Sequence, residues 1–173
     1  MLKQLTTVLI VLASGITSGQ QRPDSRPETQ VTVHNGRLAW AGLALGSTIG
    51  QVEATLGFVV ALGPDVFDTG VCAGLESRTQ IANTPVTLMF VRGGTNYTLQ
   101  GIFVPFREEV ELREVVAELK RRVPSLRYIP SIHDPALAEV NNAKPLYGLA
   151  DDSLEQVLVG PKEGLWLTHG CND

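Results

Sequence analysis

Residues 86–91 and 97–104 constrain this chain more than any other part, because they read as the two strands of a hairpin around Gly93-Gly94 yet carry apolar side chains at odd and even positions alike. Val86, Leu88 and Phe90 share one face, whereas Met89 and Val91 point to the other. Across the turn, Leu99 and Phe103 oppose Ile102 and Val104. A strand with one wet face alternates more cleanly than this. Either the second face is covered by the chain's own elements, such as the hairpin that contains Trp40, or it receives a partner. In the second case Met89, Val91, Tyr97 and Phe103 are the binding residues.

The chain around this hairpin reads as helices and antiparallel strands. Val31, Val33, Leu38 and Trp40 alternate about Asn35-Gly36, a dipeptide suited to a type I′ turn, which predicts a hairpin over residues 29–41. Residues 45–57 read as a short helix with both ends marked. Thr48 caps it, Gln51 returns the bond to the cap, Ile49, Val52 and Leu56 form its apolar face, and Gly57 supplies the left-handed residue that ends it. Residues 66–106 read as strands with turns at Gly70, at residues 83–85 and at residues 92–96. A second helix is expected over 109–122. Its stripe is Leu112, Val115, Val116, Leu119 and Val123, with acids at its start, bases at its end, and the pairs Glu109/Arg113 and Glu118/Arg122. Further strands are expected at 126–129, 146–149, 156–159 and 165–168, with a short helix capped by Asp134 that ends near Asn141 or Asn142. The pattern predicts an α+β domain, helices packed on one face of an antiparallel sheet, in two degenerate helix-plus-strands halves.

The first nineteen residues carry Lys3, an apolar run over residues 5–13 and then small residues up to Gly19, the layout of a secretory signal peptide. The run is too short for a bilayer span, and Pro23 and Pro27 follow it, so no stable membrane anchor is expected. The division is therefore a signal peptide at 1–19, a flexible linker at 20–30 and one domain at 31–173, secreted or periplasmic. Without Lys3 the mature chain has 13 basic residues against 18 acidic ones, a net charge of -5. That excludes a nucleic-acid partner of the backbone-tracking kind. Cys72 and Cys171, an even count in an exported chain, predict one disulfide, which would close a loop of about 100 residues and add roughly 4 to 5 kcal/mol.

Residues that carry chemistry are sparse. His34, His133 and His169 have no partners at metal-ligand spacing apart from His169 and Cys171, a pair without a second half, so no metal and no cofactor is expected. Residues 46–50 are out of register for a nucleophile elbow, and no phosphate-binding loop occurs. Asp151-Asp152-Ser153 reads as turn chemistry, and Asn96-Tyr97-Thr98 matches a glycosylation acceptor.

Leu45-Gly46-Ser47-Thr48 with Val52 and Leu56-Gly57, followed by the strands around Phe90 and Ile102, resembles the helix-plus-sheet modules of the β-lactamase inhibitory protein and of the SmpA/OmlA outer-membrane assembly lipoproteins. The likeness covers about residues 42–106. The chain differs from the lipoproteins in having no lipidation cysteine. The resemblance implies an exported protein that binds other proteins, possibilities being a non-enzymatic binding or envelope-assembly module or an inhibitor of a secreted enzyme. The alternative from the residues alone is a small cell-envelope hydrolase whose site is assembled from distant positions.

Overall fold

The computed structural model describes residues 26–63, 66–68, 73–93, 95–128, 147–150 and 155–169. The expected signal peptide, the turn at Gly70, the helix capped by Asp134, His133, Asp151-Asp152-Ser153 and both cysteines lie outside these residues.

Two antiparallel sheets and two helices make up the α+β fold. The first hairpin forms as its turn chemistry dictates. β1 (Val31–His34) pairs with β2 (Arg37–Trp40), and Asn35 and Gly36 take φ of 52° and 74°, as a type I′ turn requires. β3 (Leu43–Ala44) completes a three-stranded sheet. Helix α1 (Ile49–Leu56) has the full capping box between Thr48 and Gln51, and Gly57 ends it at φ 75°.

The large sheet contains β4 (Val66–Asp68), β5 (Ala73–Ile81), β6 (Thr84–Gly93), β7 (Asn96–Pro105), β8 (Arg127–Tyr128), β9 (Tyr147–Ala150), β10 (Glu155–Gly160) and β11 (Gly164–His169). Their order is β4-β5-β6-β7-β11-β10-β9-β8. Each half is a four-stranded meander preceded by a helix, and the last strands of the two halves, β7 and β11, pair antiparallel at the centre. The β5–β6 turn falls at Ala82-Asn83, with φ of 48° and 65°, so Thr84 and Pro85 belong to β6 and not to the turn.

Helix α2 (Leu112–Arg122) starts three residues later than the sequence pattern suggests. Val110 N–H donates to Pro161 O in the β10–β11 turn, which draws residues 109–111 away from helical bonding. Glu109 consequently pairs with Lys162, 3.3 Å away, in place of the expected Arg113. Glu118 does pair with Arg122 at 2.7 Å, and also with Arg121.

Both helices and the small sheet cover one face of the large sheet. Trp40, Leu38, Val52, Val115, Leu119 and Val123 share a single core with Val86, Leu88, Phe90, Ile102, Val157 and Leu167. The hairpin bearing Trp40 therefore covers the inner face, not the outer one. The tether expected to run through residue 30 gives way at Pro27 to a turn of 3-10 helix, Pro27–Gln30, that packs on α2. Pro27 O accepts from Trp40 Nε1 at 2.9 Å. Glu28 is fully buried there. Arg26 Nε lies 2.9 Å from its Oε1 outside hydrogen-bond geometry, so charge and not a directed bond compensates the carboxylate. Among the described residues no helix is long and apolar enough to cross a membrane.

Two outcomes test these contacts. The hydrogen bonds from Arg121 and Arg122 hold the Glu118 carboxyl at about 2, below its ordinary 4.5. A carboxylate held low contributes stability above its unfolded range and loses it as pH falls through the folded value. The wild-type melting temperature should therefore fall more than that of Glu118→Gln between about pH 4.5 and pH 2. Pulling Phe90 back to alanine removes a fully buried ring from the inner core and should lower unfolding free energy by about 3 to 5 kcal/mol in urea titration.

Candidate functional site

A β-bulge decides which side chains reach the outer face. Met89 pairs with Gly101 but Phe90 pairs with Leu99, so Gln100 is the extra residue and the side-chain alternation of β7 reverses there. Leu99 consequently joins Ile102 and Val104 in the core instead of siding with Phe103. Tyr97 is carried along and packs against the core. It is thus removed from the expected binding face by one inserted residue. Met89, Val91 and Phe103 remain on the outer side, each half-buried.

The ladder extends this face across the centre of the sheet. Thr87, Phe103, Trp166, Leu158 and Gly148 occupy one register row, and Met89, Gly101, Thr168 and Gln156 the next. The Phe103 and Trp166 rings stack across the β7–β11 junction with centroids 4.5 Å apart and planes 28° apart. Glycine on either side makes room for them. A Cβ at Gly164 would meet the Val104 carbonyl and sit 2.8 Å from Phe103 Cε2, and a Cβ at Gly101 would sit 2.7 Å from Met89 Cε. Phe103 therefore lies over Gly164, and Met89 folds over Gly101. Sequence reading missed Trp166 and Leu158, although the apolar run Leu165-Trp166-Leu167 carries the same two-faced signal as residues 86–91.

Charge is absent from this surface. The outward positions of β6, β7, β10 and β11 are Pro85, Thr87, Met89, Val91, Gly93, Asn96, Thr98, Gly101, Phe103, Pro105, Gln156, Leu158, Trp166 and Thr168, none of them ionisable. Charges return toward the margins of the sheet, as Glu76 and Arg78 on β5, which pair with each other, and as Arg127 on β8, in the register row of Gln156 and Met89.

The main polar cluster lies on the opposite side of the sheet. Glu155 is fully buried at the start of β10. It accepts from Leu38 N–H and from Arg37 Nη1, the latter at 2.9 Å, while His169 Nδ1 stands 3.8 Å away. These bonds tie β2 of the small sheet to the end of the large one. A carboxylate already engaged by an amide and a guanidinium is poorly placed to take a substrate proton, so the cluster is a structural clamp. A shallow depression beside α2, lined by Glu111, Leu112, Arg113, Glu114, Val116 and Tyr128, brings no nucleophile together with a base. Among the described residues no group of three His, Cys, Asp or Glu is placed to hold a metal ion.

No protein-family model matches the chain, and no curated protein or solved structure matches it either.

Phe103→Ala removes a ring that is stacked but only half-buried, so it should cost about 1 to 2 kcal/mol, the stacking increment plus partial area, against the larger loss from the buried Phe90. Equal losses at the two positions in parallel urea titrations would show the outer ring to be core. Glu155→Ala leaves the buried Leu38 N–H unpaired, while the half-exposed Arg37 guanidinium turns to water, and should cost about 1 to 3 kcal/mol.

Proposed function

We propose that this protein is an exported, non-enzymatic module that binds another protein on the outer face of its large sheet. One observation carries the reading: four adjacent strands present an aromatic pair ringed by Met89, Val91, Leu158 and uncharged polar residues, without a single ionisable group. Protein interfaces have this anatomy, an apolar aromatic centre from which charge is depleted. Surfaces that face only water hold their charges more evenly.

The remaining parts fit the same reading. The signal-like residues 1–19 send the chain out of the cytoplasm, to begin near Gln20, and in that oxidising setting Cys72 and Cys171 join. The likeness of residues 42–106 to helix-plus-sheet modules of secreted inhibitors and assembly lipoproteins belongs with it.

The test is binding of the purified mature protein to its own exported fraction, immobilised wild type against Trp166→Ala and Phe103→Ala. Truncating a central aromatic anchor should weaken capture by about 2 kcal/mol or more, roughly 30-fold, while circular-dichroism melting shows each variant folded. Capture that is undiminished in both folded variants would remove the outer face from consideration.

A further inference from the structure

Resting on that binding reading, we infer that the partner is a second copy of this chain, the two outer faces packing against one another across a twofold axis. Charge makes the first argument. The chain has a net charge of -4, so two copies repel wherever charged surfaces meet. On the outward positions of β6, β7, β10 and β11 there is nothing to repel, and an uncharged face is matched by its own copy without any complementary pattern.

Area makes the second. β5, β6, β7, β11, β10 and β9 are each four residues or longer. Six strands at about 4.8 Å spacing are about 29 Å wide, and about seven residues at about 3.3 Å make the face roughly 23 Å long, near 670 Å² in projection. A standard interface needs about 800 Å² of accessible surface per partner, and a corrugated face exposes more than its projection. The sheet is therefore large enough to hold a copy of itself.

Position makes the third. Phe103 and Trp166 sit on β7 and β11, the two middle strands of the eight. In a twofold contact the same patch serves both subunits, so a central anchor meets its own equivalent and the surrounding Thr87, Thr168 and Gln156 form a rim. The two sheets would then stack about 10 Å apart as in a sandwich.

Sedimentation equilibrium of the purified mature protein tests this. Wild type should be dimeric at tens of micromolar, with a dissociation constant that changes little between low and high salt, because the outward positions of the four central strands carry no charge and Glu76 and Arg78 at the margin pair with each other. Thr87→Lys and Gln156→Lys add a charge to half-exposed outward positions without touching the core, and a twofold contact repeats each charge opposite itself. Both variants should be monomeric with melting curves like that of monomeric wild type. A wild type that stays monomeric overturns the inference but leaves the binding reading to its own capture test. A dimer unaffected by either folded variant overturns it as well, since its interface then lies elsewhere.

Discussion

The antiparallel pairing of β7 with β11 is the constraint from which the rest of the structure follows. It joins two helix-plus-meander halves edge to edge, converting two four-stranded sheets, each with an exposed inner edge, into one eight-stranded sheet whose outermost strands are only three and two residues long. Short edges are poor templates for unwanted pairing. The same junction brings Phe103 opposite Trp166, so the feature that closes the sheet also builds the aromatic centre of its outer face.

Where β11 stops pairing with β7, at Gly101, another segment takes over. Gly46 N–H donates to Leu99 O and Leu99 N–H donates to Ser47 O, which binds the start of α1 to the edge that β11 leaves open. The bulge at Gln100 lies between these two regions and lets β7 serve both: a core-facing run through Tyr97 and Leu99, then a reversed alternation through Ile102 and Val104. An outward Phe103 and an inward Leu99, four residues apart, are compatible only because of that extra residue.

The small sheet is held by a different force. Its apolar residues Leu38 and Trp40 enter the common core, but its register against the large sheet is set by Glu155, which grips Leu38 N–H and Arg37 together. A buried carboxylate is costly unless its oxygens are satisfied, and here the satisfaction specifies one docking position and no other. With one face of the large sheet thus occupied by α1, α2 and β1–β3, a second face of different chemistry is left, uncharged and aromatic at its middle.

Local chemistry alone determined several elements of this protein. Asn35-Gly36, the Thr48/Gln51 capping box, Gly57 and the stripe of α2 each act within a few residues, so their outcome is legible in the sequence. The α+β class followed from the spacing of those elements, and the two-faced apolar pattern of residues 86–91 pointed to the sheet that carries the outer face. Tertiary structure decided the rest. Alternation cannot reveal a bulge, because one inserted residue changes the side of every residue before it without changing composition; hence Leu99 and Tyr97 belong to the core. The start of α2 depended on Pro161, fifty-one residues from the Val110 that bonds it, the burial of Glu28 on the packing of its turn against α2, and that of Glu155 on Leu38 brought from a distant strand. Such choices rest on contacts between segments far apart in the chain, and only folding places those segments side by side.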